Sequence, residues 1–532
     1  MKKYILEFKS QFIFLTLLLT LVAGLDVYGA VIISNVINAI IKHQLTIFYQ
    51  QIVVWILVWG LIIIIRYTLS ISETKFEQGI ANKIRANILE AISNESYEKY
   101  NNSDNSRFVS WMNNDTQQIV DKGLTYLYTI IEAIALIGLS LITLWTYSVW
   151  IVFVALILAM VTLYLPRLLN NRLTQTSQAL TKENENFVQV ASDLLGNFNV
   201  LFSFNSLSLM RHDINNESKK LKNAYVAQAK VYGGIAALGF ISNVISQISL
   251  TGLAGILAYR GIITIGAIFS ISNLTSNIFN SVGNMPNYLS YIKSTEPIFD
   301  KFEKFIDDNP KDEKKNKLIP QTPFLEIKNV TFHYPRTKND ILCNFSYKFE
   351  KNRNYLLDGD SGCGKSTILK LLAGFYPSYK GKILLKGHNL NEYSQEQLHK
   401  DIFYLDQHPQ VMKGTVRTNL NLTDHYCDRD LQRALDQVHL ESSSEFLDTY
   451  IEKGGSSLSG GQLQRLALAR AVLRNFEIFL MDEGTTGVEK KISIELEQML
   501  LKDPNKTVIV VNHSESKENL KMFDEIIEVK KF

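Results

Sequence analysis

Long runs of apolar side chains poor in charge crowd the first 290 residues, and the rest of the chain carries only short ones. The long runs cover about residues 11–33, 51–72, 123–145, 148–169, 231–258 and 262–284. Each is near the ~20 residues a helix needs to cross a hydrocarbon core, so the pattern predicts six membrane-spanning helices. Buried helices of a soluble protein fail as an explanation on length and clustering. Arg66 interrupts the second run, a tight turn near Tyr147-Ser148 parts the third from the fourth, and the last two are more polar than the others. The first run is too long for a cleaved signal peptide and no small-residue cleavage pattern follows it cleanly.

Between these runs, 73–121 and 170–228 are helical in pattern and, with the N-terminal Lys2 and Lys3, hold most of the basic residues outside the C-terminal part. By the positive-inside rule they are cytoplasmic, the short loops near 42–50, 146–147 and 259–261 face outside, and both termini lie in the cytoplasm. The segment 305–323, rich in Lys, Asp, Asn and Pro, reads as a polar linker. The expected division is therefore a membrane domain over 1–304, this linker, and a second domain over 324–532.

Polar residues break the membrane pattern in two places. Asp26 lies in the first run and Glu132 in the third, and acids at membrane depth must face water or a partner. If they line a cavity, they favour cationic cargo. In the sixth run Asn273, Asn277, Asn280 and Asn284 recur at helical spacing, with Ser242, Asn243, Ser246, Gln247 and Ser249 in the fifth. Such a stripe cannot face lipid and borders either water or a neighbouring helix.

Beyond residue 324 the apolar runs shorten to the length of buried parallel strands, and each ends on chemistry. Tyr355-Leu356-Leu357 leads into Gly359-Asp360-Ser361-Gly362-Cys363-Gly364-Lys365-Ser366-Thr367, a complete phosphate loop ahead of a helix. Gly359, Gly362 and Gly364 let backbone N–H groups close on phosphate oxygens, Lys365 neutralises them, and Ser366 offers its hydroxyl to Mg²⁺. Ile478-Phe479-Leu480-Met481 ends on Asp482 and Glu483, one carboxylate for Mg²⁺ and one base to orient water. Two further runs end near Gln407, a sensor of Mg²⁺ or water, and His513, a γ-phosphate contact.

With Leu458-Ser459-Gly460-Gly461-Gln462 added, residues 324–532 resemble the nucleotide-binding domain of ATP-binding-cassette transporters. The resemblance implies that Ser459 and Gly461, flanked by Gly460 and Gln462, grip the ATP held on a partner's phosphate loop, and that Tyr334 stacks on adenine. The chain departs from the family at Thr486-Gly487-Val488-Glu489, where a Ser-Ala-Leu-Asp turn is usual. The implied fold is a multi-domain membrane protein: an all-α six-helix transmembrane domain with long cytoplasmic helical extensions, then an α/β phosphate-loop NTPase cassette with a helical subdomain. The implied activity is ATP-driven export from a bacterial cell membrane, with Mg²⁺ as cofactor.

Asp104 to Phe108 with Asn114-Asp115, and Phe202 to Asn205, resemble the coupling tips of exporters with six spans per half. The partner is a second copy of the chain or a related half-transporter, in contact with membrane lipid and a small molecule or peptide as cargo. A soluble ATPase is excluded by the six runs, and an importer is disfavoured because its domains usually occupy separate chains. An ATP-gated channel would share these features. Net charge is +3, which gives no reason to invoke nucleic acid, and Cys343, Cys363 and Cys427 show neither metal spacing nor a disulfide framework.

Overall fold

A computed structural model of the 532-residue chain describes all residues except 103–104, 166–168, 310–320, 336, 338, 453–454, 456, 484–488, 512–519 and 531–532. The chain divides into two compact units: Met1–Glu90 with Ser106–Asp308, and Ala91–Asn105 with Asn309–Phe532.

The first unit is helical. Among the described residues, four stretches are long and apolar enough to cross a membrane: Lys9–Ile41, Leu45–Ser93, Arg107–Tyr147 and Leu207–Tyr259. Val149–Tyr164 is equally apolar but shorter, and Ile265–Lys293 has the length but carries the asparagine stripe. Ser148 alone, in extended backbone, separates Thr125–Tyr147 from Val149–Tyr164. Leu144, Ile151, Ala155, Leu250, Ala254 and Phe279 pack into one apolar cluster. Leu17, Ile56, Leu57, Ile63, Ile64, Phe153 and Met160 point outward and stay exposed. In water so many exposed large apolar side chains would be costly; in lipid they are at home.

Polar side chains fix how the helices meet. Asn38 accepts a hydrogen bond from Gly266 N at 3.0 Å and donates to Thr264 Oγ1 at 2.9 Å, capping the start of Ile265–Lys293. A side chain at Gly266 would place its Cβ 2.3 Å from the Ser34 carbonyl oxygen, so only glycine permits this approach. Asn243 Nδ2 donates to Asn280 Oδ1 at 2.6 Å, and Gln247 donates to Asn243 at 2.8 Å. The matching polar residues of Leu207–Tyr259 and Ile265–Lys293 are thus partly glue between helices. Asn273 and Asn284 instead donate to the Phe269 and Asn280 carbonyls of their own helix.

Three expectations change here. Arg66, which only seemed to interrupt a span, is the partner of both acids: its Nη2 lies 2.9 Å from Glu132 Oε1 and 3.5 Å from Asp26 Oδ2. The acids are bridged across three helices, which removes the argument for a cationic cargo. Phe108 and Asp115 do not form a coupling tip either. Phe108 and Trp111 are buried against Phe302 and Phe305, and Asp115 pairs with Lys301. The helix Glu296–Asp308 that supplies these partners runs past residue 305, so the expected linker begins as helix. Asp104 lies outside the described residues. The second tip does turn where expected: Phe198–Ser203 ends at Phe204, which is exposed, and Asn205 adopts a left-handed φ of 51°.

In the second unit the strands are β1 (Leu325–Phe332), β2 (Leu342–Phe349), β3 (Asn354–Asp358), β4 (Lys380–Leu385), β5 (His388–Asn389), β6 (Ile402–Leu405), β7 (Gly414–Thr415), β8 (Tyr450–Ile451), β9 (Ile478–Asp482), β10 (Thr507–Val511) and β11 (Glu525–Glu528). One sheet, β2-β1-β4-β5, is antiparallel; a second, β11-β3-β10-β9-β6, is parallel throughout. β9 and β10 are buried along their whole length, as continuous apolar strands covered on both faces should be. Their carboxyl ends therefore open at one edge of the sheet, beside the turn that leaves β3.

Losing Arg66 strands two carboxylates among apolar helices. Arg66→Leu is expected to lower the Tm of the protein in detergent by roughly 2–5 °C, and adding Asp26→Asn and Glu132→Gln to restore it. Tryptophan fluorescence melting of the three proteins checks this.

Candidate nucleotide site

The turn after β3 is built from residues that only fit as glycine. Gly359 has φ 145° and its Cβ would lie 2.3 Å from the Val529 carbonyl oxygen; Gly364 has φ 104° and would meet Leu342 at 2.9 Å. Gly362, at φ 80°, faces open space. The loop hands over to the helix Lys365–Leu372, whose free N–H groups and positive dipole end face the space the loop encloses. Cys363 is buried as packing, Ser361 is exposed, and Thr367 is buried. Lys365 is only 6% exposed, and its Nζ donates to the Gly359 and Asp360 carbonyls at 2.5 and 3.1 Å. A cation folded back on its own loop in this way is poised to exchange carbonyl oxygens for phosphate oxygens.

The strand ends complete the site. Ser366 Oγ donates to Asp482 Oδ1 at 2.8 Å, and Tyr404 OH donates to Asp482 Oδ2 at 3.1 Å. Burial pushes the Asp482 carboxyl above its usual range, against the pull of those two hydrogen bonds. Gln407 Nε2 donates to Glu483 Oε2 at 2.7 Å. Glu483 itself has a left-handed φ of 50°, and its N–H is tied to the Val511 carbonyl at 2.9 Å. That strained backbone turns the second acid away from the strand direction of the first. Ser366, Asp482 and Gln407 offer oxygen donors, which suit a hard divalent cation completed by phosphates and water.

Tyr334 is half-buried, edge-on to Phe332 and Tyr376 at 5.2 Å each, with its hydroxyl 3.1 Å from Thr367 Oγ1. The ring is fixed beside the loop helix. His513, Thr486, Gly487 and Val488 lie outside the described residues, and Glu489 precedes Lys490–Leu501 without a side-chain capping hydrogen bond.

Ser459 begins the helix Gly460–Arg474 with a full capping box: it accepts from Gln462 N at 3.2 Å, and Gln462 Oε1 accepts from Ser459 N at 2.8 Å. Ser459 and Gly460 are exposed while Gly461 is buried. The same helix steadies the segment after Gln407: Gln464 donates to the Gln407 carbonyl at 3.3 Å, and Arg470 to the Gln410 carbonyl at 3.0 Å. Burial, then the nearby Arg474, pushes the Arg470 guanidinium down to about 10, which leaves it charged at neutral pH.

Sequence reasoning missed Tyr404 and Arg470. Tyr404 sits in a run that reads as purely apolar; the available signal was a phenol three residues before Gln407, on a strand that ends at the site. Arg470 gives no signal beyond an arginine on the buried face of an apolar helix.

Both parts of the chain resemble known proteins. Residues 12–282, more than half of the chain, match the model of the ABC transporter transmembrane region, and residues 342–486 match that of the ABC transporter. The chain is 26% identical over 535 residues to the multidrug resistance-like ATP-binding protein MdlB of Buchnera aphidicola, covering 96% of this chain and 89% of that protein. It is 27% identical to the ATP-dependent lipid A-core flippase of Pasteurella multocida, over 78% of this chain and 73% of that one. Among solved structures, a bacterial Atm1-family ABC exporter with ATP bound superposes with a TM-score of 0.81 at 17% identity, over 98% of this chain and 93% of that chain. The mostly helical membrane domain followed by an α/β cassette is thus the ABC exporter fold, and the bacterial relatives mark a bacterial multi-pass membrane protein. The chain belongs to the ABC transporters, as an exporter-type half-transporter that binds ATP and couples its hydrolysis to transport.

Proposed function

We propose that two copies of this chain form the working exporter, each ATP bound between the phosphate loop of one copy and the Ser459 helix end of the other. One observation carries this reading. Ser459 and Gly460 present an exposed, capped helix end, in which the Ser459 hydroxyl and N–H are engaged by Gln462 and its carbonyl accepts from Leu463 N at 3.0 Å. A helix N-terminus with free N–H groups is an anion site, and the first turn of this one carries no acid. Because Lys365, Ser459, Glu483 and His513 all stand in one sequence, a homodimer would have two complete sites.

In the cassette, Lys365 and the loop N–H groups hold the β- and γ-phosphates, Ser459 and Gly461 of the second copy close over the γ-phosphate, and Tyr334 meets the adenine. Ser366, Asp482 and Gln407 would hold Mg²⁺, which supplies charge neutralisation on the phosphates when bound. Glu483 orients the attacking water and takes its proton, with Gln407 steering the carboxylate and His513 contacting the γ-phosphate. Closure of the cassettes reopens the membrane helices outward, and hydrolysis resets them. By the positive-inside rule both termini and the cassette lie in the cytoplasm, with six spans over the runs read from the sequence.

The cargo reading rests on a cavity of about 460 Å³ in the membrane unit. Tyr232, Asn243, Asn280, Asn284 and Asn287 supply its polar wall, and among the described residues no charged side chain lines it. Neutral amides both donate and accept, which favours an uncharged, hydrogen-bonding cargo such as a peptide. Leu163, Phe240 and Phe279, which also line it, support a second reading. That reading is a lipid with a polar head group, in keeping with the flippase relatives.

Two measurements check these readings. Glu483→Gln keeps the hydrogen-bonding shape but removes the base, so ATP should still bind while hydrolysis falls by about 100-fold or more; near-normal turnover would remove Glu483 from its role. For the cargo, Asn284→Leu is expected to abolish ATPase stimulation by capped neutral peptides and to spare stimulation by lipid. The reverse pattern would favour the lipid.

A further inference from the structure

Residues Ala91–Asn105 lie in sequence between two membrane-crossing stretches, yet they pack as part of the compact unit that contains the cassette. Their anchor is aromatic. Tyr97, which opens the short helix Tyr97–Asn102, lays its ring on Phe375 with centroids 4.2 Å apart and planes at 26°. Phe375 in turn meets Tyr404 edge-to-face, 5.1 Å apart at 77°. The hydroxyl of Tyr404 reaches the end of β9 and donates to Asp482 Oδ2 at 3.1 Å, while Ser366 holds Oδ1 at 2.8 Å.

We propose that Tyr404 is a positioning residue for the Asp482 carboxylate, and that Tyr97, acting through Phe375, holds Tyr404 in place, so that the 91–105 segment tunes how tightly the site binds its divalent cation. The inference rests on the reading of Asp482 as a cation ligand.

Packing alone would not need the hydroxyl, since phenylalanine fills the same space. The phenol is spent on one oxygen of a buried carboxylate, and that bond fixes the rotation of the carboxylate about its Cβ–Cγ axis. The other oxygen is then aimed at Ser366 and the space beside the phosphate loop. A cation with near-octahedral demands is sensitive to such aim, and partners behind a ligand typically change metal affinity by about 10–100-fold. The stack also has room to relax. A cavity of about 290 Å³ is bordered by Tyr97, Phe375, Tyr404 and Asp406, so removing the Tyr97 ring lets Phe375 tilt and frees Tyr404. The segment tip would then report its seating on the cassette as a change in cation affinity, with no contact between Tyr97 and the nucleotide.

The test uses the full chain in lipid nanodiscs with Mn²⁺ as a paramagnetic probe of the cation position. Mn²⁺ affinity is read by electron paramagnetic resonance at saturating ADP, and ADP affinity in EDTA serves as the check on folding. Tyr404→Phe is expected to weaken Mn²⁺ binding roughly 10-fold with ADP affinity in EDTA unchanged. Tyr97→Leu should weaken it roughly 3-fold, and Tyr97→Phe, which keeps the ring, should restore it. The double variant Tyr97→Leu with Tyr404→Phe should be no weaker than Tyr404→Phe alone, because the first residue acts through the second. Unchanged Mn²⁺ affinity in Tyr404→Phe, or full additivity in the double variant, overturns the proposal. Asp482→Asn separates the two layers: Mn²⁺ affinity retained there overturns the ligand reading itself, whatever Tyr404 does.

Discussion

The hydrogen bond from Ser366 to Asp482 ties the first helical turn after the phosphate loop to the end of β9, and the chemistry of the cassette is organised around it. A triphosphate carries several negative charges that only converging N–H groups and cations can hold in place. The parallel order β11-β3-β10-β9-β6 brings the ends of β3, β9 and β6 to the same edge of the sheet. Lys365, Asp482, Glu483 and Gln407 arrive there from separate parts of the sequence. Tyr404 behind the carboxylate, and Gln464 and Arg470 behind the Gln407 segment, are what a buried polar cluster requires: each acceptor has a donor, and each donor is fixed by packing.

Much of this was legible in the sequence because the requirement is local. A loop that wraps phosphate must have glycines where φ is positive, and Gly359, Gly362 and Gly364 have it. Strands covered on both faces must be mainly apolar, and 478–481 and 508–511 are apolar throughout. What stayed hidden depends on long-range neighbours. Arg66 read as a flaw in a span because its two partners lie 40 residues before it and 66 after it. Tyr97 carries no motif, and its role follows only from the folding of Ala91–Asn105 with the cassette, which displaced the expected tip from Phe108 and Asp115.

The membrane unit follows the opposite economy of polar groups. Where hydrocarbon offers no hydrogen bonds, each polar side chain must find a partner in another helix or its own backbone. Asn243 with Asn280, Asn38 with Gly266 and Thr264, and Arg66 with Asp26 and Glu132 all do so. The sequence keeps the asparagine stripe from lipid, but the spacing of the stripe could not say which amides pair. Asn280 and Asn243 are committed to each other while both also border the cavity. A sequence period fixes a helix face; it does not fix what that face meets.

The central claim is that each ATP site is shared between two copies, and pairing defective chains tests it directly. Lys365→Ala disables one half of a shared site and Ser459→Arg the other. Chains carrying two different affinity tags can be purified as mixed pairs and assayed for ATP hydrolysis. A shared site predicts that a Lys365→Ala chain paired with a Ser459→Arg chain retains one intact site and hydrolyses ATP. A wild-type chain paired with one carrying both substitutions should then retain none. Activity in the second pairing and not in the first would mean that each cassette completes its own site, and would contradict the account.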